Sequence, residues 1–395
     1  MKKIFISALC ALALVGCDSA PSKSTTAERL DHSIEQTRLL MAEALEVGMN
    51  PRTIGKDGHT HWIKAAGFDW TEGFFPGTLW YLYELTGDVA FKNGASTIQD
   101  YYASHTSASS HDLGFVFNCS FGAGYRITGD EYMRDVMIDA GNTLVDRFSP
   151  ITGTILSWDT DRGWQATRGW DYAVIIDNMM NLEMLFEISQ ITGDPKYKDV
   201  AIAHANTTMK NHFRDDWSSF HVVDYDRTTG EVRHQHTAQG YAHQSSWARG
   251  QAWGLYGYVT CYRYTQDPIY LEMAENIAKY IMTAPEIPAD KVPYWDYHAP
   301  NIPNEPRDVS AATITASALI ELESYVPEKG YLQYATDVID SVSTDAYTAA
   351  LGENSKFILM HSVGSIPHDN EIDVPLNYAD YYYVEALSRL KALGI

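Results

Sequence analysis

A five-residue signature recurs along this chain and limits what it can fold into. Glu84-Leu85-Thr86-Gly87-Asp88, Arg126-Ile127-Thr128-Gly129-Asp130 and Gln190-Ile191-Thr192-Gly193-Asp194 each close a run with helical apolar periodicity. Arg263-Tyr264-Thr265-Gln266-Asp267 is a degenerate fourth copy. In the first three, glycine supplies the left-handed residue that stops one helix, and throughout aspartate is the N-cap that starts the next. Pro195 and Pro268 then take the first helical position, where no N–H donor is needed. An aromatic follows each time: Phe91, Tyr132, Tyr197 or Tyr270. The repeated unit is a helical hairpin with a tight turn. Helical patterning runs from about Glu28 to Leu393 without a compositional break, so the hairpins belong to one domain. Long connections separate them: Asn50 to Gly73, Ser149 to Arg168, His212 to Ser246 and Thr283 to Asp308. Loops of that length inside a compact domain are usually functional. Tight turns at one end and long loops at the other describe an all-α toroid with its cleft on the loop side. Short strand pairs fit within the loops, for instance around Phe220 to Val232.

The N-terminus is of another kind. Lys2 and Lys3 precede an apolar run from Ile4 to Val15, too short to span a membrane and laid out as a secretory signal peptide. Leu14-Val15-Gly16-Cys17 resembles a bacterial lipobox. That reading makes residues 1–16 a cleaved leader, Cys17 the lipidated N-terminus, 17–27 a polar tether and 28–395 the helical domain. It places the protein at a bacterial membrane, on the periplasmic or cell-surface side, held by its lipid alone. Cys119 and Cys261 remain; both lie in apolar helical surroundings and are expected as buried thiols rather than a disulfide. The formal net charge of −22 argues against a nucleic-acid partner, which requires a basic footprint.

Several residues could carry chemistry. Gly169 to Ile191 reads as one buried helix, apolar nearly all round, with Asp177, Asn181 and Met184 on a shared face. An aspartate there loses water, which disfavours its charged form and raises its pKa toward that of a general acid. A core aspartate bracing a neighbouring helix is the other reading. Asp112, in His111-Asp112-Leu113-Gly114-Phe115, precedes an aromatic-rich helix running to Tyr125; it is either a second inward carboxylate or an ordinary N-cap. Trp158, Trp164 and Trp170 recur at intervals of six through a loop, as sugar-stacking faces or as the loop's own packing. In Ser245 to Gly254, Arg249 and Trp253 share a helical face. A buried arginine needs an anionic partner, either an internal carboxylate or one on a substrate. His234-Gln235-His236 lacks further ligands at metal-site spacing, and no nucleotide-binding or serine-nucleophile motif occurs.

Four segments together resemble the unsaturated glucuronyl hydrolases of glycoside hydrolase family 88. They are His111 to Phe115, Ile176 to Asn181, Trp247 to Trp253, and Tyr378-Ala379-Asp380-Tyr381-Tyr382-Tyr383-Val384-Glu385-Ala386-Leu387. The resemblance covers Glu28 to Leu393 and implies an (α/α)6 barrel of six helical hairpins. It implies an exo-acting enzyme that removes a 4,5-unsaturated uronic acid from the non-reducing end of oligosaccharides made by a polysaccharide lyase. The lyase is a functional partner only, and no cofactor or metal is implied. Asp177 matches the acid/base that hydrates the C4=C5 enol ether, and Asp112 matches the second essential carboxylate. By the same matching His111, His221, Gln239, Arg249 and Trp253 contact the sugar, while Trp70 and Trp158 form stacking walls. Trp62 and Trp164 lie close enough to exchange those roles. Some relatives carry a Ser-x-Ser-x-Lys run in the C-terminal loop for sulfate; His361 to His368 contains no lysine, which puts sulfate recognition by that route in doubt. The competing readings are an unsaturated rhamnogalacturonyl hydrolase of family 105, with fragments such as those of ulvan as substrates, a non-catalytic glycan-binding lipoprotein, and an ordinary inverting glycosidase.

Overall fold

The computed structural model describes residues 23–395, so the leader and Cys17 lie outside the described residues. Helix α1 (Thr26–Val47) begins within the stretch read as tether, because Thr25 and Glu28 form a capping box there. Six inner segments follow: α2 (Phe74–Thr86), α4 (Leu113–Phe117) continued through a π turn into α5 (Ala123–Thr128), α7 (Leu182–Thr192), α9 (Ala248–Thr265), α11 (Val309–Tyr325) and α13 (Asn377–Ala392). Each packs on the next, and α13 returns to α2, closing a ring. The outer layer is α3 (Val89–Asp100), α6 (Glu131–Asp146), α8 (Pro195–Asn211), α10 (Pro268–Thr283), α12 (Tyr331–Val342) and α1.

The two layers differ in pattern for a physical reason. An inner helix is covered on every side, and in α9 every residue from Ala248 to Cys261 is buried. An outer helix keeps one face wet: α12 buries Tyr331, Tyr334, Ala335, Val338, Ile339 and Val342, a stripe at helical spacing. Cys119 and Cys261 are buried free thiols.

The recurring signature does what its chemistry predicts. Gly87, Gly129 and Gly193 sit at φ 71°, 72° and 72°, the left-handed region that glycine enters without a Cβ penalty. Asp88, Asp130, Asp194 and Asp267 accept hydrogen bonds from the backbone N–H groups of Ala90, Tyr132, Lys196 and Ile269. In the degenerate copy Gln266 itself takes the left-handed position at φ 57°.

The long connections carry the strands. These are β1 (Asn50–Ile54) with β2 (Thr60–Ile63), β3 (Phe148–Ser149) with β4 (Thr154–Ile155), the sheet β5 (Tyr172–Ile175), β6 (Val222–Tyr225), β7 (Val232–His236), and the hairpin β8 (Ser362–Ser365) with β9 (Asn370–Val374). The pair expected near Phe220 to Val232 is β6 with β7, antiparallel. Gly193→Ala puts a Cβ on a left-handed residue, and Asp194→Ala removes a cap. Each should cost about 1 kcal/mol and lower the melting temperature by a few °C in thermal unfolding followed by circular dichroism.

Candidate active site

The stretch from Gly169 to Ile191 is not one helix. It is strand β5, a 3-10 turn over Ile176–Asn181, and only then helix α7. A short, wholly apolar run has no periodicity to separate buried strand from buried helix, and here the β-branched Val174 and Ile175 pair with β6. The backbone continues the ladder with Ile176 N–H donating to the His221 carbonyl at 3.0 Å. Asp177 therefore leaves the end of a strand in a tight turn rather than a helical face. Asn181 does not share its row: its Oδ1 accepts from Phe115 N–H at 2.8 Å, which ties this turn to α4.

That tie brings Asp112 alongside. Asp112 occupies the N-cap position of α4 but makes no capping hydrogen bond. Its carboxylate instead accepts from the Ser110 hydroxyl at 2.9 Å and lies 3.1 Å from His111 Nε2. Asp112 and Asp177 line one cavity of about 510 Å³ on the loop side of the barrel. Burial pushes both carboxyls up to about 7. The charge of Asp112 adds to the rise at Asp177, against the pull of the Arg249 guanidinium.

His221 faces Asp177, with Nε2 3.6 Å from Oδ2. Its Nδ1 accepts from the backbone N–H groups of Ala238 and Gln239 at 3.0 and 3.1 Å, so the neutral ring carries its proton on Nε2. Burial and the nearby arginine keep its pKa well below the ordinary range, so the ring stays neutral. Arg249 is fully buried and has an internal anionic partner, Asp308, at 3.0 Å. It also donates to the carbonyls of Val363 and Gly364, which fastens β8 to α9.

The remaining expected residues divide into two groups. Trp70, Trp158, Gln239 and Arg249 line the cavity, as does Trp164. His111 and Trp253 do not; both are fully buried behind the carboxylates, where Trp253 packs on Phe115 at 5.0 Å. Trp62 is half-buried at the edge of the core and is absent from the cavity wall. The loop tryptophans pack on one another, and two of them also line the cavity. Trp158 stacks on Trp170 at 5.8 Å and meets Trp164 edge-on at 5.0 Å, yet Trp158 and Trp164 still face the cavity.

Sequence reasoning missed Arg52, Glu371 and the wall made by the β8–β9 hairpin. Arg52 on β1 holds Glu371 on β9 through Nε at 2.5 Å and Nη2 at 3.0 Å, and Asp69 through Nη1 at 2.6 Å. No local signal marks that pairing, which spans 319 residues. Tyr378, at the start of α13, completes this side. Among the described residues no group of histidine, cysteine and carboxylate side chains has metal-site geometry.

The family model for Glycosyl Hydrolase Family 88 matches residues 47–394. The chain belongs to this family. It is 46% identical over 330 residues to an unsaturated glucuronyl hydrolase of Formosa agariphila, covering 82% of this chain and 80% of that one. An unsaturated chondroitin disaccharide hydrolase of Streptococcus agalactiae is 34% identical, over 81% of both chains. The crystal structure of an unsaturated glucuronyl hydrolase specific for heparin superposes with a TM-score of 0.88 at 43% identity, covering 94% of this chain and 98% of that one. These solved relatives are α/α barrels, as this chain is. The chain is a glycoside hydrolase that removes unsaturated uronic acid from oligosaccharides, which sets aside a purely binding role.

The raised carboxyl has a consequence for stability. Asp177 titrates near 7 when folded and near 4 when unfolded. Between those values the folded state holds the extra proton, so stability falls as pH rises from about 4 to 7. Asp177→Asn abolishes that loss. Its melting temperature should match wild type at pH 4 and exceed it by a few °C at pH 7.5, as calorimetry would show.

Proposed function

We propose that Asp177 is the acid/base of an enol-ether hydration, with Asp112 as its partner. The observation that carries the reading is two carboxyls in one cavity, Asp177 buried and Asp112 partly so, with the pKa of Asp177 raised to about 7. Asp177 donates its proton to C4 of the unsaturated uronic acid, and the C4=C5 electron pair forms the new C–H bond. Positive charge develops at C5, shared with the ring oxygen. Asp177, now a carboxylate, takes a proton from water as that water's oxygen bonds to C5. The resulting hemiketal opens to a C5 ketone, and C1 releases the remainder of the sugar chain.

The surrounding residues suit these steps. Asp112 has a hydroxyl donor in Ser110 to hold its charge, and that charge favours the protonated form of Asp177. The Nε2–H of neutral His221 lies 3.6 Å from Asp177 Oδ2, beyond hydrogen-bond length, and a slight approach would let it donate to that carboxylate once the proton has left. Trp70 and Trp158 offer faces for the sugar ring, and Gln239 and Arg249 supply donors at the wall. His111 and Trp253 support the two carboxylates from behind. We further propose that the parent polymer is a glycosaminoglycan, since relatives named for chondroitin and heparin fragments support it, and that a lyase supplies the substrate.

The N-terminal sequence supports export and anchoring through lipid on Cys17. Among the described residues no helix is long and apolar enough to cross a membrane. Expression in a lipoprotein-processing bacterium with labelled palmitate should label the wild type and leave Cys17→Ser unlabelled.

The activity test follows the ultraviolet absorbance of the conjugated double bond in lyase-generated disaccharides. Asp177→Asn should lower kcat by about 10²–10⁴-fold while substrate still binds, measured by calorimetric titration. Wild-type kcat/KM should fall about tenfold per pH unit above about 7, because only protonated Asp177 can start the reaction. A flat profile through pH 9 would remove Asp177 from that role.

A further inference from the structure

We infer that His204 and His212, on the outer helix α8, are positioning residues that hold the turn carrying Asp177. The inference rests on the acid/base role given to Asp177 above and adds what keeps that acid in place. His204, Thr208 and His212 stand one helical turn apart, at i, i+4 and i+8, with His212 as the C-cap residue. All three are fully buried. The other buried positions of α8 are Tyr197, Val200, Ala201 and Ala205, the ordinary covering of an outer helix. A polar stripe in that place is costly to take out of water.

Its hydrogen bonds lead to both sides of Asp177. His204 Nδ1 accepts from the Ile155 N–H on β4 at 3.0 Å. The Ile155 carbonyl in turn accepts from Asn178 Nδ2 at 2.9 Å, on the residue that follows Asp177. His212 Nε2 donates to the Val174 carbonyl on β5 at 3.2 Å, just ahead of the turn. The His212 carbonyl also accepts from Phe220 N–H at 2.8 Å, beside His221. Each ring therefore uses one nitrogen on an active-site strand. The other nitrogen, Nε2 of His204 or Nδ1 of His212, meets no protein partner. A leucine would fill the space without that unmet polar atom. What the imidazoles add is a directed bond to the backbone before and after Asp177. Burial keeps both rings neutral, His212 lowered to about 4 and His204 well below the usual range, where His212 and His111 would also oppose a charge. Neutral rings put no charge on Asp177, which is faced by Arg249, Asp112 and His221. Their action on it is geometric.

The test measures kcat, KM and the pH profile on a lyase-generated unsaturated disaccharide, with folding checked by circular dichroism. His204→Leu and His212→Leu should lower kcat about tenfold or more with KM changed by less than about twofold. Water reaching the loosened turn should also move the alkaline fall of kcat/KM down by about half a pH unit or more. Since neither ring carries charge, that shift reports solvent access to Asp177. His204→Asn keeps an acceptor near the Nδ1 position, and His212→Gln keeps a donor near Nε2; both should recover most of the loss. The exchanged amides, His204→Gln and His212→Asn, place the group at the wrong atom and should not. Folded leucine variants with wild-type kcat and pH profile would overturn the inference and leave the hydration reading intact. If the leucine variants do not fold, the amides decide, and equal activity of matched and exchanged amides would overturn it. A flat wild-type profile would overturn both readings.

Discussion

A carboxyl group taken out of water resists ionisation, and this site is built around that resistance. Asp177 and Asp112 sit where the ends of inner segments and long loops close over them, so the medium around each favours the neutral acid. Both are raised to about 7, and a charge on a neighbour acts on top of that burial. Asp112 accepts from the Ser110 hydroxyl, and ionisation of Asp112 raises Asp177 further. An exposed aspartate would be fully ionised at neutral pH and would have no proton for a double bond. The apolar packing that forms the barrel therefore also tunes its acid.

The same packing explains why the cavity wall is assembled from distant parts of the chain. The ring of inner helices leaves its loop-side end open, and that end is covered by segments that bring only small apolar clusters of their own. Ion pairs and backbone hydrogen bonds hold those segments. Arg249 fastens β8 to α9 through two carbonyls, and Arg52 fastens β9 to β1 through Glu371. His221 is fixed by two backbone N–H groups that also settle its tautomer. Buried arginines bonded in this way are costly to disturb, because removing one partner strands a charge.

Local chemistry made much of this legible. The Thr-Gly-Asp turns named the hairpins, since only glycine enters the left-handed region cheaply and aspartate caps well. The apolar setting of Asp177 announced its burial and its raised pKa. The family resemblance added Asp112, which spacing had left between cap and active carboxylate. What misled was the run from Tyr172 to Ile176, where strand and helix are equally apolar and only pairing with β6 decides. His111 and Trp253 share motifs with cavity residues, and only packing shows that they stand behind the wall.

The amino-acid sequence by itself determined the hairpin repeat and the burial of an acid, because turns, caps and apolar runs act over a few residues; the reaction class came from the family resemblance of four segments. Tertiary structure alone decided which arginine faces which carboxylate and which nitrogen of His221 carries the proton. Those are electrostatic contacts across hundreds of residues. Their strength depends on distance and on excluded water, and neither exists until the ring has closed.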